Sequence, residues 1–192
     1  MENILVILGH PDYNSLNGSI FNQYIKGAKE SGFNVRTLKL GNLKFDPILH
    51  NGYKKIQELE TDLQKAQNDL KWAQHIVFIF PTWWGAPPAL LKGFLERAIL
   101  PGFAFKYKQD SMLWHKYFKG KTSRLIITMD GPKFFYKYFV GSPGTKMMEK
   151  GILNFIGVKK VKKTILSRIR FKDKNKIKKH LNKIYMLGKK GL

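Results

Sequence analysis

The stretch that decides the fold is His75–Gly93, HIVFIFPTWWGAPPALLKG. Its segment Ile76–Phe80 is a continuous apolar run rich in β-branched and aromatic residues, which is typical of a strand buried on both faces of a parallel sheet. We expect Pro81 to end this strand, because proline has no N–H to donate to a neighbouring strand. Apolar residues then recur at helical spacing, which predicts a helix that opens at 86–89 and packs back onto the sheet.

Two adjacent tryptophans, Trp83 and Trp84, lie in the turn between this strand and this helix, next to Thr82 and Gly85. Doubly wound proteins bind ligands at such turns, at the carboxyl edge of a parallel sheet. The turn offers backbone N–H groups and flat apolar surface to a heteroaromatic ring. Packing in the core or at an interface explains two neighbouring aromatic residues equally well, so both interpretations stay open at this point.

A second apolar run, Asn3–Leu8, predicts the first strand, and the turn after it suits a phosphate group. A predicted helix follows this turn and runs to about Ser31, and a helix N-terminus supplies free N–H groups and a favourable dipole. Plain capping of the helix by Ser15 or Asn17 explains the same residues equally well. The polar residues of the turn are His10, Asn14, Ser15 and Asn17.

The remaining chain continues the alternation of strands and helices. Further strands are predicted at Asn34–Leu40, Ser123–Met129 and Val161–Leu166, and further helices at Ile56–Ala73, Gly144–Phe155 and Asp173–Gly188. Short aromatic stretches at 100–107 and 134–136 are predicted to be loops, and the first of them suits a lid or a dimer contact.

Five strands that alternate with helices predict a single α/β domain over residues 1–192, with a doubly wound parallel sheet in the order 2-1-3-4-5. In that order the loops after the first, third and fourth strands converge on one crevice. A crevice with phosphate donors on one side and aromatic surface with backbone amides on the other matches FMN, or the isoalloxazine half of FAD.

The formal net charge of +22 raises the question of a nucleic-acid partner. Only five of the 35 basic residues are arginine, the usual residue for base edges and bidentate phosphate contacts. The lysines are spread along the whole chain, so we interpret them mainly as solvated surface. Contact with an anionic membrane surface or an anionic substrate is the main further use of this charge.

Several classes of protein and site are disfavoured by composition. The chain has no cysteine, so disulfides and thiolate metal sites are excluded, and the five histidines show no metal-ligand spacing. No secretory signal and no apolar run of membrane-spanning length is present, so we expect a cytoplasmic protein without a metal centre.

Several blocks of the chain together resemble the flavodoxin-like NAD(P)H:quinone oxidoreductases, the DT-diaphorase group and its bacterial relatives. The most specific block is FPTWWGAPPALLKGF at 80–94. Weaker blocks stand in the same order along most of the chain: His10-Pro-x-x-x-Ser-Leu-Asn17, Phe45-Asp46-Pro47, Phe103-Ala-Phe-Lys-Tyr107, Thr128-Met-Asp-Gly131 and Gly141-Ser-Pro-Gly144.

The resemblance implies a role for each matching position around FMN or FAD. The phosphate and ribityl chain would lie against His10, Ser15, Leu16 and Asn17. The N5 and O4 edge of the ring would meet Pro81, Thr82, Trp83, Trp84 and Gly85, and the N1 and O2 edge would meet Thr128, Met129, Asp130 and Gly131. In a homodimer with its site at the interface, the partner would lay Phe105 and Tyr107 over the ring, and Tyr136 would be the catalytic residue beside the position of hydride transfer.

The implied activity is ping-pong hydride transfer from NAD(P)H through flavin N5 to a quinone or similar aromatic acceptor. The chain departs from mammalian members in having Met129-Asp130 where they have Thr-Gly, and in having Val140-Gly141-Ser142 where they have a proton-relay histidine. An alternative function, also implied by family relatives, is that of an ancillary flavoprotein subunit of a membrane potassium-efflux system.

Overall fold

The computed structural model describes residues 2–192, which form a five-stranded parallel sheet and a two-stranded antiparallel hairpin. The main sheet has the order β2-β1-β3-β6-β7 and the hairpin pairs β4 with β5. In chain order the strands are β1 (Asn3–Leu8), β2 (Asn34–Lys39), β3 (His75–Pro81), β4 (Phe105–Tyr107), β5 (Trp114–Lys116), β6 (Thr122–Thr128) and β7 (Lys160–Leu166). Numbered among themselves, the five main strands run 2-1-3-4-5, so the predicted flavodoxin-like topology is confirmed.

Helices cover both faces of the main sheet. They are α1 (Leu16–Glu30), α2 (Thr61–Trp72), α3 (Ala89–Ala98), α4 (Lys133–Tyr138), α5 (Pro143–Lys146), α6 (Asn154–Ile156) and α7 (Lys174–Lys189). A π-helical segment, Met147–Leu153, joins α5 to α6, and short 3-10 segments lie at Leu40–Asn42 and Ile169–Phe171. No helix within residues 2–192 is both long and apolar enough to cross a membrane.

Alternate residues of each central strand pack against opposite helix layers, as the alternation of side chains along a strand requires. Phe78 of β3 belongs to the core under α2 and α3, with Leu63 and Leu91, whereas Val77 belongs to the core under α1 and α7, with Ile20 and other residues. All seven residues of β3 are buried, which confirms that this strand is covered on both faces.

Two predicted helices begin later than their apolar pattern indicates. The helix α2 begins at Thr61 instead of Ile56. The helix α3 begins at Ala89, with Pro88 as its extended N-cap residue, so 86–88 belong to the turn. Pro88 has a φ of −53° and a ψ of 148°, which is not helical, so the helix begins only at Ala89. The tight turn at Trp83–Ala86 lies before it. Pro81 is the last residue of β3, paired in register with Thr128.

Two predicted loops contain regular structure. The aromatic stretch at 100–107 enters the hairpin through β4, whose Phe105 is buried against Phe155 at a centroid distance of 4.9 Å. The stretch at 134–136 lies in α4. The predicted helix at 144–155 is divided into α5, the π-helical segment and α6. In the π-helical segment the backbone hydrogen bonds join residues five apart instead of four.

Candidate functional site

Three loops meet at the carboxyl end of the sheet, and they are named here the first loop (9–15), the tryptophan loop (82–88) and the fourth loop (129–132). The Asn17 side-chain amide donates to Thr128 Oγ1 at 3.1 Å, and the Thr82 N–H donates to the Thr128 carbonyl at 2.8 Å. The His10 ring meets the Trp83 indole edge-on, with centroids 5.5 Å apart. The first loop and the tryptophan loop are therefore in contact, and Thr128, which directly precedes the fourth loop, is bonded to Asn17 and Thr82.

The first loop ends in a capped helix N-terminus. Ser15 Oγ accepts from the Gly18 N–H at 3.3 Å and donates to the Asp12 carbonyl at 2.8 Å. Capping by Ser15 is therefore confirmed, and its hydroxyl is already used inside the loop. The N–H groups of Leu16 and Asn17 belong to the first turn of α1, where a helix has no internal acceptors. Backbone N–H groups, more than side-chain groups, make this loop suitable for a phosphate.

His10 is held by the loop in a defined orientation. The Asp12 N–H donates to His10 Nδ1 at 3.0 Å. Nδ1 also lies 2.8 Å from the Asp12 carbonyl oxygen, so the Asp12 backbone orients the ring while the ring packs on Trp83.

The tryptophan loop is a tight turn with strained geometry. Trp83 and Ala86 exchange two backbone hydrogen bonds, at 2.8 and 3.0 Å. Between them Trp84 has a φ of 51° and Gly85 a φ of 77°, which is the geometry of a type I′ turn. A tryptophan with positive φ is uncommon, and backbone strain of this kind is concentrated at functional sites. The N–H groups of Trp84 and Gly85 take no part in closing the turn.

The two tryptophans differ in exposure. Trp83 is 46% exposed, whereas Trp84 is 104% exposed, so its indole stands free of the rest of the chain. Packing in the core therefore does not explain Trp84. Trp84 therefore presents apolar surface to solvent at the carboxyl end of the sheet.

The Gly85 carbonyl accepts the hydrogen bonds that join α4 and α5 to the tryptophan loop. The Tyr136 hydroxyl donates to Gly85 O at 3.2 Å, and the Gly144 N–H donates to the same oxygen at 2.9 Å. The Thr145 N–H donates to Tyr136 Oη at 3.2 Å, so this buried hydroxyl is engaged on both sides. A Cβ atom on Gly144 would lie 2.7 Å from Gly85 O, which only glycine avoids.

Gly144 and Thr145 were not among the predicted site residues. Gly144 lies in one of the blocks that carry the family resemblance, and that block was its only signal in the sequence. The bond from Gly144 to Gly85 bridges about 60 residues of chain, which no local pattern reveals, and Thr145 joins the site through Tyr136.

The fourth loop is only partly open. The Met129 N–H donates to the Leu166 carbonyl at 3.0 Å, so it is used within the sheet. The Asp130 carboxylate accepts from the Arg170 N–H at 3.0 Å, and this bond directs it toward the segment that follows β7. Space around Gly131 is open, because no atom outside its immediate neighbours lies within 4 Å of a Cβ built there. Of the predicted ring contacts at 128–131, the end nearest Gly131 is the accessible one.

Phe105 and Tyr107 lie away from these loops. Phe105 is buried, while Tyr107 is 58% exposed. Both line a separate, mostly apolar cleft of about 530 Å³ together with Leu95, Met147 and Phe155. No residue of the three loops lines that cleft, so this cleft is separate from the three loops.

The short helix α4 places further aromatic side chains beside the fourth loop. Phe135 and Phe139 stack with centroids 5.3 Å apart, and both are exposed. The Lys137 ammonium donates to Tyr138 Oη at 3.0 Å and thereby lowers the pKa of that hydroxyl. Within residues 2–192, no three histidine, aspartate or glutamate side chains group as metal ligands.

Sequence similarity to named proteins extends over most of this chain. It is 28% identical over 178 residues to a Haemophilus influenzae protein named "Uncharacterized NAD(P)H oxidoreductase", covering 89% of this chain and 86% of that protein. It is 26% identical over 190 residues to mouse (Mus musculus) ribosyldihydronicotinamide dehydrogenase [quinone], covering 82% of this chain and 78% of that protein.

Solved structures share the fold. Smu.1420 from Streptococcus mutans UA159 is 30% identical with a TM-score of 0.83, covering 98% of this chain and 99% of that one. An FMN-dependent NADH-azoreductase from Bacillus anthracis, solved with FMN, has a TM-score of 0.77 at 17% identity, covering 100% and 97% of the two chains.

The family model that matches the chain is described as flavodoxin-like fold and covers residues 2–186. This match spans nearly the whole chain, and the relatives above bear names of NAD(P)H and quinone oxidoreductases. The resemblance inferred from the sequence is therefore confirmed, and the chain belongs to the Flavodoxin_2 family of flavodoxin-like proteins.

Proposed function

We propose that this protein is a flavin-dependent NAD(P)H oxidoreductase that delivers two electrons to quinones or similar aromatic acceptors. The observation that carries the proposal is the set of contacts that join the carboxyl ends of three strands, Asn17 with Thr128, Thr82 with Thr128 and His10 with Trp83, beside the fully exposed indole of Trp84. The names of the relatives support the class of reaction. A bound flavin supplies the redox chemistry, accepting hydride from NAD(P)H and reducing the acceptor in alternation.

The residues present fit a phosphorylated flavin. Free N–H groups in the first turn of α1, at Leu16 and Asn17, suit the phosphate. The corner N–H groups of Trp84 and Gly85 suit the polar edge of a flat ring, and the Trp84 indole suits its face. A phosphate directly bound at α1 makes FMN the simpler choice, and the FMN-bound azoreductase of the same fold supports it.

Tyr136 shapes the crevice in this proposal. Its hydroxyl proton lies in the hydrogen bond to Gly85 O, which holds the strained turn in place. Use of the same proton as an acid in catalysis requires that bond to break first. The assignment of Tyr136 as the catalytic residue stays a prediction, and its geometry favours a positioning role.

A homodimer completes the site in this proposal. Tyr107 and the exposed faces of Trp84 and Phe139 are large apolar surfaces that a second subunit would cover. Sedimentation of the purified protein is expected to give a dimer, and Tyr107→Ala is expected to lower turnover. The alternative of a subunit of a potassium-efflux system gains no support from the relatives, which are named as oxidoreductases.

The proposal is tested by flavin titration. Purified protein is expected to bind FMN or FAD with one flavin per chain and to bleach on anaerobic addition of NADH or NADPH. Trp84→Ala is expected to weaken flavin binding about tenfold, since aromatic contacts contribute about 0.5–1.5 kcal/mol beyond their buried area.

Ile56→Ala is the matched control, because Ile56 is also exposed (85%) but lies in the segment before α2. It is expected to leave flavin binding unchanged. A protein that takes up neither flavin would overturn the proposed function.

A further inference from the structure

The short helix α4 turns aromatic side chains away from the body of the protein. Its buried residue is Tyr136, whose hydroxyl donates to Gly85 O. Phe134 and Tyr138 are each two residues from Tyr136, and two residues correspond to about 200° around a helix, so both lie on the side opposite the buried one. Phe134 is 61% exposed and Tyr138 is 71% exposed. The outer side of α4 therefore presents two aromatic rings to solvent.

A third exposed aromatic ring belongs to the segment that follows β7. Phe171 is 70% exposed. The Ile169 N–H donates to the Met129 carbonyl at 3.2 Å, and the Arg170 N–H donates to the Asp130 carboxylate at 3.0 Å. These bonds attach the segment to the fourth loop, and α4 begins directly after the same loop. Exposed rings from two parts of the chain are therefore held at one loop.

A cleft of about 540 Å³ lies between α4, the π-helical segment and β7, and five lysines line it. The one acidic residue that lines it among those described is Glu149, which pairs with Lys163 at a distance of 2.7 Å between nitrogen and oxygen. The other four lysines form no ion pair within residues 2–192. These four, all exposed, are Lys133, Lys137, Lys146 and Lys150.

The exposed rings and the lysine cleft form one surface. Lys133 and Lys137 belong to α4 itself, and Tyr138 lines the cleft. Aromatic rings beside lysines are typical of surfaces that bind membranes, because the rings enter the interface and the lysines attract anionic lipids. We name this surface the aromatic–lysine face, and its members are Phe134, Tyr138, Phe171 and the five lysines of the cleft.

A second copy of this chain does not complement the aromatic–lysine face. A twofold axis through the face would bring the four unpaired lysines against the same four lysines of the other copy. Like charges placed opposite each other in an interface are unfavourable. The rest of the chain offers little compensation, because it has 35 basic and 13 acidic residues. The proposed homodimer involves Tyr107 and Trp84, which do not belong to this face.

A nucleic acid fits the face less well than a lipid surface does. Single-stranded nucleic acids stack their bases on open aromatic rings. On α4, Phe135 and Phe139 already stack on each other with centroids 5.3 Å apart, and the Lys137 ammonium lies 4.6 Å from the centre of the Tyr138 ring. No arginine lines the cleft among the residues described, although arginine is the usual residue for bidentate phosphate contacts.

We propose that the aromatic–lysine face binds an anionic lipid bilayer, with the rings at the interface and the lysines against lipid phosphates. The face borders the crevice, because Ser142 lines the cleft and its N–H donates to the carbonyl of Tyr136, which in turn bonds Gly85 O. Binding brings the crevice to the membrane, where a quinone dissolved in lipid serves as the acceptor. Only this last consequence rests on the proposed function.

The test is co-sedimentation of FMN-saturated protein with lipid vesicles at physiological ionic strength. Vesicles of equal parts phosphatidylcholine and phosphatidylglycerol are expected to bind the protein, whereas vesicles of pure phosphatidylcholine leave it in solution. Binding is expected to weaken as salt is added, because salt screens exposed charges. Equal binding to both kinds of vesicle, or binding to neither, would overturn the proposal.

The lysines are tested in pairs. Lys146→Gln combined with Lys150→Gln is expected to weaken binding to the anionic vesicles about tenfold or more, because each lysine near an anionic surface contributes several-fold. Lys178→Gln combined with Lys179→Gln removes two exposed lysines of α7 and is the matched control, expected to change binding little. An equal loss in both pairs would assign the binding to net charge in general and overturn the proposal.

The rings are tested in the same way. Phe134→Ser combined with Phe171→Ser is expected to weaken vesicle binding about tenfold, because less apolar surface enters the interface. Ile48→Ser combined with Ile56→Ser is the matched control, since both residues are exposed apolar side chains outside this face. Unchanged binding by the phenylalanine pair would contradict insertion of the rings.

A fluorescent label locates the face on the membrane. The chain has no cysteine, so an introduced cysteine is a unique labelling position. A polarity-sensitive fluorophore on Tyr138→Cys is expected to shift its emission to the blue when anionic vesicles are added, whereas the same label on Lys178→Cys is expected to stay unchanged. A shift at position 178 without one at position 138 would overturn the assignment to α4.

Two further measurements separate this proposal from its alternatives. Retention on single-stranded DNA that is lost with Lys146→Gln and Lys150→Gln, without vesicle binding, would identify a nucleic-acid site instead. Turnover with a quinone dissolved in anionic vesicles is expected to fall for the phenylalanine pair, while turnover with a water-soluble quinone stays the same. A protein that binds vesicles and no flavin would overturn the proposed function alone, and a flavoprotein that ignores vesicles would overturn this inference alone.

Discussion

The two ends of the main sheet differ in whether their buried polar groups have hydrogen-bond partners. At the carboxyl end, Asn17 and Thr128 satisfy each other, and the Tyr136 hydroxyl is engaged by Gly85 O and Thr145 N. At the amino end, His75 and Arg124 are equally buried, yet each keeps a nitrogen without a partner among residues 2–192.

The difference separates a rigid set of loops from an incomplete polar network. Paired groups at the carboxyl end hold the loops rigidly and leave apolar surface, above all Trp84, for a large flat ligand. Unpaired nitrogens at the amino end leave the polar network there incomplete. Substitutions at the two ends are therefore expected to change stability by different amounts.

The largest expected effect comes from the other buried arginine, Arg97, which serves as a reference for Arg124. Arg97 is fully buried and donates to Glu60 Oε2 at 2.9 Å and to the carbonyls of Asp46 and Glu58 at 2.6 and 2.9 Å. Arg97→Met leaves these acceptors without their donor and is expected to lower the free energy of unfolding by about 3–5 kcal/mol.

Arg124→Met is expected to lower the free energy of unfolding clearly less, because Arg124 bonds only the Thr164 hydroxyl and no carboxylate loses its partner. Urea denaturation measures both variants, with Arg36→Met as a surface control whose side chain is 48% exposed. Equal losses at Arg97 and Arg124 would contradict the contrast between paired and unpaired arginines.

The second effect is a pH dependence at the amino end. The pKa of His75 in the folded chain is about 4, below its ordinary value of 6.5. The unfolded chain therefore binds more protons between these values, and stability falls as pH drops through that window, by at most about 1.4 kcal/mol per pH unit.

His75→Gln removes this contribution and is expected to flatten the profile of unfolding free energy between pH 6.5 and 4. Parallel profiles for the variant and the unmodified protein would mean that His75 titrates normally in the fold. The carboxylates contribute equally to both profiles, so the difference between them isolates the histidine.

The third effect tests the pairing at the carboxyl end. Asn17→Ala leaves the buried Thr128 hydroxyl without its partner and is expected to cost about 1–3 kcal/mol of stability. Adding Thr128→Val to that variant is expected to cost less than the sum of the single changes, because the pair acts as a unit. Asn14→Ala, at an exposed asparagine of the first loop, is the control. Additive losses would show that the contact is energetically unimportant.

The smallest effect concerns Tyr136. Tyr136→Phe removes the hydrogen bond to Gly85 O and the one accepted from the Thr145 N–H, and is expected to cost about 1–2 kcal/mol. If the hydroxyl only positions the turn, flavin binding weakens while the pH profile of turnover keeps its shape. A profile that loses its basic limb would identify Tyr136 as the proton donor. Tyr138→Phe, on the exposed face of α4, is the control.

The order of the main strands was predictable because buried parallel strands carry continuous apolar runs that stand out in any sequence. Ile76–Phe80 and Asn3–Leu8 are such runs. The end of α1 was predicted at about Ser31 and lies at Glu30, and Gly32 follows with a φ of 84°, a conformation that favours glycine. The start of α2 was not predictable, because Glu60 and the segment before it are held by Arg97, on another helix.

The hairpin was missed because strands of three residues show too little alternation to recognise. The predicted site residues came from motifs, and their roles stay predictions, while Gly144 and Thr145 are brought to the site only by contacts with Gly85 and Tyr136 respectively. The exposure of Trp84 could not be predicted from the sequence either, because tryptophan occurs both in cores and in binding sites.

The sequence by itself determined the sheet, its strand order and the three loops that carry the crevice, because apolar periodicity and turn residues are local properties. Tertiary structure alone decided which polar groups are paired. Asn17 meets Thr128 across 111 residues, whereas Arg124 meets no carboxylate among the residues described. Pairing depends on distance in space, and only the packed chain sets that distance.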